Sequence, residues 1–180
     1  MDRPSRRSIR LKNYDYSTPG AYFVTVCTRE KKCILSRVVK PSGDAVGEQL
    51  AAPAVVLTKA GRIVDEQIRL LPERFPSLSV DRFVVMPNHI HLLLTISAHA
   101  GGASSAPTAE NRRRPDITHV VQVLKSQSSR LSGDAPLWQR SFYDHVVRSE
   151  AEYREIAEYI AANPARWAED RFYVPEGTSG

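Results

Sequence analysis

Residues 80–96 read Val80-Asp81-Arg82-Phe83-Val84-Val85-Met86-Pro87-Asn88-His89-Ile90-His91-Leu92-Leu93-Leu94-Thr95-Ile96. Val80 to Met86 is an apolar-ended strand, Pro87-Asn88 a turn, and His89 to Ile96 a second strand, so the stretch predicts a tight antiparallel hairpin. Side chains alternate across a strand, so His89 and His91 share one face while Ile90 points to the other. Two adjacent imidazoles at the exit of a turn are a candidate divalent-cation site, with Ile90 anchoring the strand beneath them. Imidazole suits Zn²⁺ or Mn²⁺ better than Mg²⁺, which prefers oxygen. A His-x-His pair alone is equally the mark of a half-exposed strand.

Upstream, Ala21-Tyr22-Phe23-Val24-Thr25-Val26-Cys27-Thr28 follows the turn signal Thr18-Pro19-Gly20 and predicts a strand over 21–28. Residues 33–57 read as a loosely paired hairpin or insertion around a turn at 41–44. Thr58 is placed to cap a helix over 58–71 that ends at Pro72. Residues 98–115 are of low complexity and read as a flexible surface loop. Asp116 caps a helix running to about Leu131, which Gly133-Asp134-Ala135-Pro136 breaks. An extended piece from Trp138 to Val147 precedes a helix from Ser149 to about Asn163, stopped by Pro164. Strands and helices without regular βαβ alternation predict an α+β fold with an antiparallel sheet.

The last helix places Tyr153, Ile156, Ala157, Ile160 and Pro164 on one buried stripe. Tyr159 and Asn163, four residues apart, are stacked neighbours on its shoulder. A phenol beside an amide at a core boundary suits a nucleophile next to a metal ligand, and suits ordinary amphipathic packing too. Of the other histidines, His99 falls in the loop, His119 near a helix start, and His145, beside Asp144, reads as structural.

With 180 residues, 42% of them hydrophobic, the chain has enough material for one cored domain. No apolar run is long enough to span a bilayer, and the start of the chain lacks a secretory signal pattern. Cys27 and Cys33 are too few for a disulfide framework, so a reducing, cytoplasmic setting is expected. The net charge is +5, and residues 1–12, with Arg3, Arg6, Arg7, Arg10 and Lys12 against Asp2, carry +4 of it. A basic arm ahead of a nearly neutral body suits phosphate contact, and equally a solvated, frayed terminus.

Four motifs stand in order: Asn13-Tyr14-Asp15-Tyr16-Ser17-Thr18-Pro19-Gly20 running on into the strand to Thr28, Val84-Val85-Met86-Pro87-Asn88-His89-Ile90-His91-Leu92-Leu93, Trp138-Gln139-Arg140-Ser141-Phe142-Tyr143-Asp144-His145, and Tyr159-Ile160-x-x-Asn163-Pro164. Their order and spacing over most of residues 6–167 resemble the REP-associated tyrosine transposases, relatives of the single-tyrosine HUH transposases. The resemblance implies a ferredoxin-like HUH domain over 21–167, a central antiparallel sheet with helices packed on one face, between a basic arm (1–20) and a tail (168–180).

It further implies that His89, His91 and Asn163 hold a divalent ion, Mg²⁺ or Mn²⁺, and that Tyr159 is the nucleophile. The implied activity is nicking and joining of single-stranded or hairpin DNA through a 5′-phosphotyrosine. Arg6, Arg7 and Arg10 correspond to an arm that would read sequence beside a hairpin. Lys125, Arg130, Arg140 and Arg148 are further candidates for phosphate contact, and Trp138 and Phe142 for base stacking, against a packing role. The partners expected are DNA and no membrane, with a monomer preferred to a homodimer. Two other readings share the motifs: a DNA-binding module without catalysis, and a metal-dependent hydrolase using water, which would survive Tyr159→Phe.

Overall fold

The structure, a computed structural model, describes residues 14–39, 53–98, 115–133 and 136–174. Among them the chain forms β1 (Gly20–Cys27), β2 (Ser36–Val39), β3 (Ala54–Leu57), α1 (Lys59–Arg69), α2 (Leu71–Arg74), β4 (Leu78–Val85), β5 (His89–Ile96), α3 (Ile117–Ser132), β6 (Tyr143–Val147) and α4 (Glu150–Ala162). The basic arm residues Arg6, Arg7 and Arg10, the turn at 41–44, His99 and nearly all of the 98–115 loop lie outside the described residues.

The main sheet has the order β4-β5-β1-β6, with every neighbouring pair antiparallel. It follows that β1 and β4 run parallel with β5 between them, and β5 and β6 run parallel with β1 between them. Each parallel pair is joined through a helix, α1 with α2 in the first case and α3 in the second. The right-handed sense of such crossovers brings both helices to one face of the sheet. This is the ferredoxin-like arrangement, and the α+β reading with a central antiparallel sheet holds. The residues 33–57 do pair as a hairpin, β2 with β3, from Ser36 opposite Leu57 to Val39 opposite Ala54.

The core follows from alternation along β5. Ile90, Leu92, Leu94 and Ile96 join Val24 and Val26 of β1 against Val64 and Ile68 of α1 and Ile117, Val120, Val121 and Leu124 of α3. Each such side chain, fully withdrawn from water, contributes on the order of 2 kcal/mol. The opposite face carries His89 and His91, and α4 lies along β4 and β5 with Tyr159 over His91.

Helix ends obey the capping residues in the sequence. Thr58 Oγ1 accepts from Gly61 N–H at 3.0 Å, Asp116 Oδ1 from Thr118 N–H at 2.6 Å, and Ser149 Oγ from Glu152 N–H at 3.1 Å. Gly133, with φ of 77°, ends α3 in the left-handed conformation that favours glycine. The expected stop at Pro72 is met differently: α1 ends at Arg69, and Pro72 sits in the first turn of the separate short α2, where its missing N–H costs nothing. The extended piece expected from Trp138 contributes only an isolated bridge, Thr28 with Trp138, before β6 begins at Tyr143. Trp138 is buried and donates its indole N–H to Ser128 Oγ at 2.8 Å, a packing role.

Gly61 lets α1 lie directly on the chain at Leu35, because a β-carbon there would collide with the Leu35 carbonyl. Alanine normally favours a helix over glycine by about 1 kcal/mol. For Gly61→Ala the collision reverses that sign. Urea unfolding should show a net loss of about 1–3 kcal/mol, and a stabilised variant would mean that α1 moves freely off Leu35.

Candidate active site

The β1–β5 register sets His91 opposite Thr25 and His89 opposite Cys27. Both imidazoles are fully buried, with His89 Nε2 3.1 Å from His91 Nε2. Their other ring nitrogens are engaged: His91 Nδ1 lies 2.8 Å from Thr25 Oγ1, and His89 Nδ1 lies 2.9 Å from Asn88 Oδ1. Rings close the surroundings. Phe23 stands 5.2 Å from the His91 ring, and Phe172 and Trp167 stand 4.7 and 5.9 Å from the His89 ring.

The last turn of α4 brings Tyr159 to the same point. Its hydroxyl is 3.3 Å from His91 Nε2, its ring is 5.2 Å from the His91 ring, and the residue remains 39% exposed. Tyr159 is therefore open to a ligand from solvent while its oxygen faces the histidine pair. One turn further, Asn163 is buried and donates from Nδ2 to Asp170 Oδ2 at 3.0 Å. Its Oδ1 is buried and accepts no hydrogen bond among the described residues. A buried acceptor left open costs about 1–3 kcal/mol.

Asp170 is the residue that sequence reasoning missed. His89, His91 and Asp170 each offer a ligand atom, all within 4.8 Å of one another, and Asp170 Oδ2 lies 3.9 Å from His89 Nε2. The segment taken as the start of a tail thus forms a wall of the site. A short 3₁₀ turn at Trp167–Glu169 reverses the chain after α4. Asp170 Oδ1 then accepts the Phe172 N–H at 2.7 Å. Local turn chemistry of this kind carries no sequence mark that points to a histidine pair 80 residues earlier. Arg171, also unanticipated, lays its guanidinium 4.6 Å from the Phe172 ring centre and 5.7 Å from that of Tyr143.

Burial pushes both histidines down to about 3, helped at His89 by Arg171 and Lys31 and at His91 by His89 itself; Asp170 opposes the shift at His91. Neutral imidazoles are the form that ligates metal. Burial and the Asp170 carboxylate raise the Tyr159 phenol, while Arg171 and the Asn163 amide act against them. Two neutral imidazoles, an inward carboxylate and an open amide oxygen make a mixed nitrogen–oxygen donor set that fits a divalent cation.

The other candidates are spread around the domain. Lys125 Nζ donates to Gln139 O at 2.6 Å and Arg140 O at 3.0 Å, tying α3 to the strand that follows. Arg130 donates to Gln127 Oε1 at 2.8 Å. Arg148 uses its backbone N–H on Glu152 Oε2 at 2.7 Å, and the same carboxylate takes His145 Nε2 at 2.6 Å, so His145 serves the start of α4. None of these hydrogen bonds brings Lys125, Arg130, Arg148 or His145 to the histidine pair.

No protein-family model matches the chain. A protein of Haemophilus influenzae, described only as uncharacterized, is 32% identical over 94% of this chain and 93% of its own length. A REP-associated tyrosine transposase of Escherichia coli is 25% identical over 87 residues, which span 48% of this chain and 44% of that protein. Among solved structures, a REP-associated tyrosine transposase bound to a REP hairpin superposes with a TM-score of 0.55 at 20% identity, covering 95% of this chain and 91% of that one. That likeness carries the fold. No described helix is long and apolar enough to cross a membrane.

The two histidines make stability depend on pH in a defined direction. In the unfolded chain they titrate near 6.5, and in the folded protein near 3. Below about 6.5 the unfolded state binds more protons, so stability is complete above that pH and is lost as the pH falls toward 3. For chelator-treated protein, the unfolding free energy from urea titrations at pH 7, 6 and 5 should fall with a slope approaching about 1.4 kcal/mol per pH unit for each imidazole. An unfolding free energy unchanged across that window would show that the histidines are not buried as neutral groups.

Proposed function

We propose that the chain is a REP-associated tyrosine transposase-like protein that nicks and rejoins single-stranded DNA, hairpin-bearing strands above all, through Tyr159. The observation that carries this reading is the Tyr159 hydroxyl facing the His89–His91 pair at 3.3 Å from His91 Nε2 while the tyrosine stays open to solvent. A water-using hydrolase gives no reason for a phenol at that position.

His89 and His91 would hold the ion, with Asp170 and Asn163 Oδ1 available to complete the set; imidazole donors favour Mn²⁺ over Mg²⁺. When bound there, a divalent ion supplies Lewis-acid neutralisation of the phosphate's non-bridging oxygens. Tyr159 Oη attacks phosphorus as the phenolate, the bond from phosphorus to the 3′-oxygen breaks, and the freed 3′-oxygen takes up a proton. The product is a 5′-phosphotyrosine that keeps the phosphodiester's bond energy, so the 3′-hydroxyl of a second strand reverses the step without ATP. Arg171 and the Asn163 amide favour the phenolate, and burial with Asp170 opposes it. Cleavage rates should therefore rise with pH above neutrality.

Phe172, Tyr143 and Phe142, with Arg171 between the first two, line a cleft of about 280 Å³ next to the histidines, with faces on which unpaired bases can stack. Arg6, Arg7 and Arg10 remain the proposed reader of sequence beside the hairpin, and Arg140 and Arg148 are proposed to meet the backbone.

The test uses labelled hairpin oligonucleotides with single-stranded flanks, incubated with Mn²⁺ or Mg²⁺ and resolved on denaturing gels. The unsubstituted protein should give a cleaved strand and a protein-bound 5′ end. Tyr159→Phe should lose both by at least about three orders of magnitude while its melting temperature stays close to the parent's. Cleavage that persists in Tyr159→Phe, with no adduct, would transfer the role to water.

A further inference from the structure

We infer that Asn88 is a positioning residue that fixes which nitrogen of His89 carries its proton, and thereby turns the His89 Nε2 lone pair toward His91. The inference deepens the reading of His89 as a metal ligand and rests on it.

Asn88 is fully buried in the turn between β4 and β5, and both polar atoms of its side chain are hydrogen-bonded. Its Nδ2 donates to Phe172 O at 2.7 Å and to Lys31 O at 3.2 Å. Both partners are backbone carbonyls, which only accept. The amide therefore cannot be turned over, because its oxygen would then face two carbonyl oxygens. Oδ1 must point the other way, at His89 Nδ1, 2.9 Å distant. An amide oxygen is only an acceptor, so His89 Nδ1 must be the donor. In a neutral imidazole one nitrogen holds the proton and the other is bare. The bare nitrogen is then Nε2, which stands 3.1 Å from His91 Nε2.

His91 is held differently. Its Nδ1 meets Thr25 Oγ1 at 2.8 Å, and a rotatable hydroxyl can donate or accept. The pair is thus asymmetric, with one imidazole locked by an amide and one free to follow its neighbour. The backbone of Asn88 is anchored as well, since Asn88 O accepts from Thr28 N–H at 2.8 Å and Thr28 Oγ1 at 3.0 Å. Through Phe172 O the same amide also holds the segment that brings Asp170 to the site. Partners behind ligating histidines set ring tautomer and orientation, and their loss commonly costs 10- to 100-fold in metal affinity.

The experiment is long-range ¹H–¹⁵N correlation of ¹⁵N-histidine protein, stripped of metal, at pH 7.5. His89 should show a protonated Nδ1 and a bare Nε2; a protonated Nε2 at His89 in the parent protein would overturn the inference outright. In Asn88→Ala the His89 pattern should shift toward a protonated Nε2, and Mn²⁺ affinity, read by electron paramagnetic resonance, should fall about 10- to 100-fold. Asn88→Asp keeps an acceptor for Nδ1, so His89 should keep the parent pattern, while its second oxygen, now facing the Phe172 and Lys31 carbonyls, should lower the melting temperature. A folded Asn88→Ala with the parent tautomer and affinity would refute the role. Because the spectrum is recorded without metal or DNA, a protein that fails to cleave leaves this result intact, and a lost tautomer preference leaves the cleavage assay to be judged by itself.

Discussion

The pairing of β1 with β5, from Gly20 opposite Ile96 to Cys27 opposite His89, governs the rest of the molecule. Along β5 it sends Ile90, Leu92, Leu94 and Ile96 into the core beneath α1 and α3, and turns His89 and His91 to the other side. A slip of one residue would bring the imidazoles into the hydrocarbon layer and expose the branched side chains. The apolar face therefore enforces the position of the polar one. A cation site between two side chains needs that kind of enforcement, since nothing in the imidazoles themselves selects the register.

The histidine face is unusually dry for a polar surface. Phe23, Trp167 and Phe172 close around rings that have no exposure of their own, and Asn163 is buried with them. Burial keeps the imidazoles uncharged and leaves the Asn163 carbonyl oxygen open. Both are costs to the folded protein, and both would be offset by the divalent ion proposed for this site. Function and marginal stability meet in the same few atoms, a common feature of sites assembled for charge chemistry.

Much of this was legible in the sequence, for identifiable reasons. The hairpin at 80–96, the capping residues Thr58 and Asp116, and the α+β class all rest on local signals, and the structure repeats them. The Tyr159–Asn163 pair could be placed on one shoulder of its helix from angular spacing alone. Its approach to His91 could be expected only from the family resemblance, since periodicity says where a side chain points and not what it meets. Asp170 was not legible. It reaches the histidines through a 3₁₀ turn and a hydrogen bond to the next residues but one, and such irregular backbone has no period to detect. In the sequence Asn88 marks only a turn, because the carbonyls of Phe172 and Lys31 that engage its side-chain amide lie 84 and 57 positions away.

The separation of these groups along the chain has a consequence for the timing of synthesis. Tyr159 meets a histidine 68 positions before it, and Asn88 meets a carbonyl 84 positions after it. Contacts of such long range form late. A nascent polypeptide that has emerged only as far as β5 holds both imidazoles but neither the phenol nor the carboxylate. On this architecture the convergence of imidazoles, phenol and carboxylate is completed only when nearly every described residue has left the ribosome.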